Sequence, residues 1–272
     1  MTAAVSPPLP PERGRWRSVG AMVAPPLILL VVALTTWEVA SRTGNLHPIL
    51  YPPPTSVAAA LGSLLTSGEF FSNYWLTIRE ILGGFVLGAI VGFVLGSVFT
   101  IFPKLTAIFY PYFIAFQALP KVVLAPLFIV WLGFGPISKV IMAMTISFFP
   151  ILINTMLGLS LVDEDRLRLM RALMADERQI FWKLKLPGAT PAIFAGLKTG
   201  LTLAVFGTIA AELVGATAGV GTMLKTYNGL IRVDYVLALV LTLGVFGLAV
   251  YLTMERLDAR VTFWARHEGN KS

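Results

Sequence analysis

Residues 161–187 read LVDEDRLRLMRALMADERQIFWKLKLP and form a dense polar island between two long apolar runs. Asp163, Glu164, Asp165, Arg166, Arg168, Arg171, Asp176, Glu177, Arg178, Lys183 and Lys185 all fall here, although the whole chain of 272 residues holds only 21 basic and 14 acidic side chains. A chain that gathers its charge on one internal segment presents that segment to water. Within the island the apolar residues recur at helical spacing. Leu167, Met170 and Leu173 or Met174 make one face, and Ile180, Phe181 and Leu184 make a second, with the charges opposite. Asp176 with Gln179 three residues on has the capping-box form, and Asp163 to Asp165 put negative charge where a helix N terminus favours it. Two short amphipathic helices are therefore expected to start near 164 and 177. By the same physics, such a pair lies on lipid headgroups or docks on a partner.

The flanks decide the phase. With 56% of its residues apolar, the chain is too oily for a soluble domain and long enough for several membrane spans. Four uncharged runs, 19–37, 81–102, 140–162 and 235–254, each approach the roughly 20 residues that a helix needs to cross a bilayer. Two further runs are interrupted: 105–138 contains Lys121 beside Pro120, and 186–224 contains Lys198 and Glu212. Each is expected to be one crossing plus broken or re-entrant backbone, which is tolerated at membrane depth only beside protein or a watery cavity. The expectation is an all-α membrane protein of about six transmembrane helices, with its membrane domain over 19–258.

Lys and Arg set the orientation. Arg13, Arg15, Arg17, Lys104, the basic residues of the island, and Arg256, Arg260, Arg266 and Lys271 fall on one side; Arg42, Lys139, Lys225 and Arg232 fall on the other. This bias expects cytoplasmic tails at 1–18 and 259–272, a cytoplasmic island at 163–187, and an outer loop at 41–74. The second span carries Gly84, Gly88, Gly92 and Gly96, one face of small residues that allows close helix packing.

Several chemistries drop out. There is no cysteine, so disulfides, thiolate nucleophiles and Cys-based metal sites are excluded, and His47 and His267 are too far apart in the chain to suggest a metal cluster. The net charge of +7 sits beside apolar spans and not in an aromatic-interleaved patch, which fits anionic lipid and not nucleic acid. No phosphate loop and no catalytic constellation occurs. Polar groups inside spans are costly and so are functional candidates. Gln117, Lys121, Asn154, Thr155 and Glu212 are the candidates for a translocation path, with Ser147, Lys198, Thr202 and Thr208 as further polar groups inside the apolar runs. Lys121 and Glu212 are singled out because an ionised group at depth needs a partner, water or cargo; they pair with each other, snorkel to an interface, or line the path.

The run from Arg178 through Gln179, Ile180, Phe181, Trp182, Lys183, Leu184, Lys185 and Leu186 to Pro187, followed by Pro191 and Gly196, resembles the cytoplasmic coupling loop of binding-protein-dependent ABC importer permeases. Thr77, Ile78, Arg79 and Gly83, the segment 119–127, and Ala211-Glu212 followed by Gly219-Val220-Gly221 are similar to the nitrate, sulfonate, taurine and vitamin-precursor branch, and the likeness covers about residues 50 to 258. The resemblance implies a type I ABC importer permease fold in a bacterial inner membrane. It implies ATP and Mg on a partner ATPase with no cofactor in this chain, a solute-binding protein outside, and a second permease subunit. It also implies that Leu167, Arg168, Met170, Arg171, Met174, Ala175, Ile180, Phe181, Leu186 and Pro187 transmit force from the ATPase. The family's loop opens with Glu-Ala-Ala and a glycine six residues after the Glu; here those places hold Arg168, Leu169, Met170 and Met174. An ion-gradient-driven transporter or channel is the alternative, and it expects inverted repeats and more midspan acids than Glu212.

Overall fold

A computed structural model describes residues 15–44 and 46–263. Most of the expected tail 1–18, the end of the tail 259–272, and Arg13, Arg266, His267 and Lys271 lie outside the described residues. The helices are α1 (Arg15–Arg42), α2 (Pro54–Leu65), α3 (Gly68–Ile101), α4 (Pro103–Ala118), a 3-10 turn (Lys121–Val123), α5 (Leu124–Leu132), α6 (Pro136–Ser160), α7 (Glu164–Ala172), α8 (Glu177–Ile180), a π segment (Phe181–Lys185), α9 (Leu186–Gly215), α10 (Val220–Gly229) and α11 (Val233–Val261). No strand occurs among the described residues. Among the described residues five helices are long and apolar enough to span a membrane, and α4 with the turn and α5, bent by 81°, would make a sixth. Proline opens α2, α4 and α6, where its missing N–H falls among the first-turn donors that have no helical partner in any case.

The core is α6 held between α3 and α9 along its length. Gly84, Gly88, Gly92 and Gly96 of α3 meet Ala143, Ser147, Ile151 and Thr155 of α6 in step, so the two helices run parallel. On its other side α6 meets Gly196, Gly200 and Gly207 of α9 in descending order, so α9 is antiparallel. Glycines on both outer helices let the backbones approach to where van der Waals contact alone holds them, the usual basis of helix association in lipid. Gly83, one residue off the α3 face, sits at ordinary contact distance from Val140. On the flank, α11 packs on α2 and α9, and a cluster of Val57, Leu64, Phe70, Val220 and Leu239 joins α2, α3, α10 and α11. α1 is tied to the start of α2 by Glu38, which accepts from Arg42 at 2.5 Å and from the Thr55 N–H at 3.1 Å.

Two expectations need correction. The outer loop 41–74 is not a loop throughout: it contains α2, and α3 begins at Gly68, well ahead of residue 81. At 34 residues, α3 is about 51 Å long, so its polar first turns extend past the roughly 30 Å hydrocarbon. The run 186–224 has its expected break beyond Glu212, at residues 216–219, and stays helical through Lys198, whose ammonium meets Asp258 of α11 at 2.5 Å. Finally, the second short helix of the island does not stop at Pro187. Helix continues from Glu177 to Gly215. Proline cannot donate and would crowd the carbonyl four residues back; the π segment widens the turn there, and Leu186 N–H pairs with the Phe181 carbonyl, five residues back.

Candidate functional site

Two polar constellations stand out, one at each end of the bundle. The first is the hairpin of the island. Asp163 caps α7, its carboxylate accepting from the backbone N–H groups of Asp165 at 2.9 Å and Arg166 at 3.3 Å. Asp176 and Gln179 form the reciprocal capping box of α8, at 2.6 and 3.2 Å. Between the helices the chain reverses at Met174, whose φ of 56° is left-handed. Met174 N–H pairs with the Arg171 carbonyl and Ala175 N–H with that of Met170, both at 3.0 Å, which is the Schellman arrangement. Glycine adopts this conformation freely and methionine pays about 1 kcal/mol, so the glycine expected there by resemblance has a backbone reason.

The hairpin is apolar where a surface loop is normally polar. Met174 is 91% exposed, with Leu169 and Leu173 also open. Around them Arg168 pairs with Glu164 at 3.1 Å and Asp165 at 3.6 Å, and Arg171 reaches across to Glu177 at 3.7 Å. These pairs are solvated and contribute little to stability individually. Leu167, Met170 and Ala175 are half-buried beneath the tip. Ile180 is buried, and Phe181 and Leu186 pack on Leu159, Ala189 and Ile193, so this half of the hairpin is anchored in the bundle. Pro187 lies in the first turn of α9.

The second constellation lies at the opposite end and centres on Glu212, which is wholly buried. One of its carboxylate oxygens accepts from Thr77 Oγ1 and the other from the Gly221 N–H, each at 2.6 Å. Thr77 in turn accepts from Val220 N–H at 2.9 Å, and Asn73 Oδ1 accepts from Gly219 N–H at 2.7 Å. Lys139, also buried, interacts electrostatically with both Glu212 and Glu80 while donating to the carbonyls of Phe134 and Gly135. The network ties α3, α6, α9 and α10 together. Gly219 has φ 117°, and a Cβ built there would lie 2.3 Å from a Glu212 oxygen, so only glycine lets the backbone reach the carboxylate.

The five path candidates therefore scatter. Glu212 does not pair with Lys121, since Thr77 and the α10 amides surround it. Lys121 donates to the Gln117 carbonyl at 3.0 Å and lies over the Phe149 ring at 5.3 Å, in the bend between α4 and α5 where Gln117 is exposed. Thr155 is buried in the α3–α6 seam against Gly96, and Asn154 turns to Gly196 of α9 and donates to the Pro150 carbonyl at 2.8 Å. Thr155 is closed off in its seam, whereas Asn154 is only half-buried in the other. Lys139 was expected in an outer loop; it is instead inside the first turn of α6. Glu80 escaped sequence reading altogether. Its signal was available: Asn73, Thr77 and Glu80 follow one another at four and three residues, a polar stripe on one face of a helix.

Residues 84–263 match the family model described as binding-protein-dependent transport system inner membrane component. The chain belongs to that family. Among its relatives, the permease SsuC of Bacillus subtilis (strain 168), named for aliphatic sulfonates transport, is 30% identical over 88% of this chain and 86% of its own length. The taurine transport system permease protein TauC of Escherichia coli (strain K12) is 26% identical over 97% and 98%. The riboflavin transport system permease protein RibX of Chloroflexus aurantiacus (strain ATCC 29366 / DSM 635 / J-10-fl) is 29% identical over 93% and 92%. A solved structure of the MetNI methionine ABC transporter in inward-facing conformation superposes with a TM-score of 0.61 at 20% identity, over 69% of this chain and 94% of that one, a likeness of fold. The chain is thus the membrane-embedded permease subunit of an ABC importer, forming the translocation path for a small solute. The gradient-driven alternative is set aside. In this permease the hairpin is anchored in the bundle and apolar at its exposed tip, and the Glu212 network fastens the far end.

Proposed function

We propose that a separate ATPase subunit drives this permease through the α7–α8 hairpin, with the hairpin and both termini on the cytoplasmic side. The observation that carries the reading is the tip itself: Leu169, Leu173 and Met174 exposed within a rim of Arg168, Arg171 and Glu177, an apolar centre with a polar edge as protein interfaces have. Ile180 and Phe181 would pass the movement into the bundle. A second permease subunit completes the path, and a solute-binding protein delivers cargo to the opposite end. Relatives named for sulfonates, taurine and riboflavin support a small organic anion or a heteroaromatic vitamin precursor as cargo.

Arg168 reverses the charge expected at its place, so the partner ATPase is proposed to offer carboxylates there. Arg168→Glu should leave folding intact, because its ion pairs are exposed, and should weaken ATPase assembly by roughly tenfold, as a lost interfacial charge pair does. The check is pull-down of the ATPase together with solute-stimulated ATP hydrolysis in proteoliposomes; unchanged values would refute the reading. Lys121→Ala tests the path separately. With Lys121 in the α4–α5 bend, uptake should fall several-fold at unchanged assembly, and unaltered uptake would remove it from the path.

A further inference from the structure

The last turn of α3 and the start of the long helix at Glu177 enclose a cavity of about 390 Å³ lined by Thr100, Ile101, Glu177, Arg178, Phe181, Trp182 and Lys185. Its walls divide by chemistry. Arg178 and Lys185 both line it from either side of the π segment, and between them in the chain lie Phe181 and Trp182, packed edge to face at 5.4 Å. Glu177 is engaged by Arg171 at 3.7 Å, whereas neither Arg178 nor Lys185 has a carboxylate partner among the described residues. The cavity has an excess of positive charge. It also sits at a level the sequence marks independently: Ile101 ends the uncharged run of α3, Ile101 and Phe102 are open on the apolar surface, and Trp182 is 57% exposed beside them. An indole between two cations at the end of a spanning helix is the arrangement of a membrane–water boundary.

We propose that this cavity is a binding site for the headgroup of an anionic phospholipid. Its phosphodiester lies between Arg178 and Lys185, its glycerol backbone against Trp182 and Thr100, and its acyl chains run down past Ile101. A soluble phosphate would gain the cations but leave the apolar floor unused; a lipid uses both. Because the same helix opens the hairpin, bound lipid braces α8 against α3. The site requires only that α3 and α9 span a membrane and is independent of which cargo or ATPase the permease serves.

The full chain in nanodiscs tests this. Tryptophan fluorescence is quenched with phosphatidylglycerol or phosphatidylcholine brominated near the headgroup, and the Trp182 component is taken as the difference from W182F. Phosphatidylglycerol should quench that component with an apparent affinity roughly fivefold or more above phosphatidylcholine, the effect of about one cation near an anionic headgroup. The preference should vanish in R178Q/K185Q, halve in R178Q alone, and survive in R178K/K185R. Soluble glycerol phosphate should not compete. Equal quenching by both lipids, an undiminished preference in R178Q/K185Q, or competition by glycerol phosphate would each overturn the assignment. A cavity that serves as a seat for a protein partner would show no lipid preference in the chain alone, which overturns it equally.

Discussion

Glu212→Ala is expected to destabilise the folded permease by about 3–5 kcal/mol, the range for removing one partner from a buried charged network. Alanine would strand the Gly221 N–H, now 2.6 Å from a carboxylate oxygen, would leave the Thr77 hydroxyl only the Asn73 carbonyl at 3.1 Å as acceptor, and would leave Lys139 facing Glu80 alone. None of these groups can turn to water, because the cluster lies inside the bundle. The loss should appear as a fall in melting temperature of roughly 6–15 °C in detergent. Glu212→Gln keeps an acceptor for Thr77 but turns an amide donor toward the Gly221 N–H, so it should fall between parent and alanine. A Glu212→Ala melting point within about 2 °C of the parent would show that α10 is held by its apolar contacts and not by the carboxylate.

Gly84→Leu should be still more disruptive. A Cβ at Gly84 would sit 2.4 Å from the Ala143 Cβ and 2.6 Å from the Val140 carbonyl oxygen, and the latter is backbone that cannot swing aside. The parallel packing of α3 on α6 would have to open by the width of a side chain, and the overpacking cost of roughly 1–3 kcal/mol for inserted methylenes is a lower bound when two backbones are forced apart. Little folded protein should be recovered by size-exclusion chromatography of the solubilised membrane fraction. Gly84→Ala should be intermediate. Gly83→Ala, whose Cβ meets Val140 at 3.6 Å, should match the parent, and equal loss at positions 83 and 84 would contradict the close seam described here.

Much of the architecture was legible without coordinates. Apolar runs at bilayer length are a strong signal because lipid offers unpaired backbone no alternative: the runs 19–37 and 235–254 fall inside α1 and α11, and 81–102 and 140–162 overrun the ends of α3 and α6 only at residues 102, 161 and 162. The Asp163 and Asp176 caps were legible too, since a cap is a contact between residues two or three apart. The bend at Pro120 followed from local chemistry in the same way. What escaped reading was the partner of each buried charge. Glu212 and Lys121 each lie in an interrupted run, and a pair between them was one expectation, yet the donors of Glu212 come from residues 77 and 221, and the ammonium that acts on it from residue 139. Lys198 likewise finds its partner far off in the chain, in Asp258, sixty residues on, at 2.5 Å.

By itself the amino-acid sequence determined that this is a multi-span helical membrane protein, where its water-facing hairpin lies, which face of α3 is small enough to pack, and which family it resembles; all of these depend on hydropathy and on spacings within one helix or turn. Only the tertiary structure decided that α6 is the central helix, that Thr155 is sealed in its seam with α3, and that Glu80, Lys139 and Glu212 share one buried network with the amides of α10. The physical reason is that a charge in a low-dielectric interior must find its counterpart in space. Which helix supplies it depends on a packing order that no local pattern encodes.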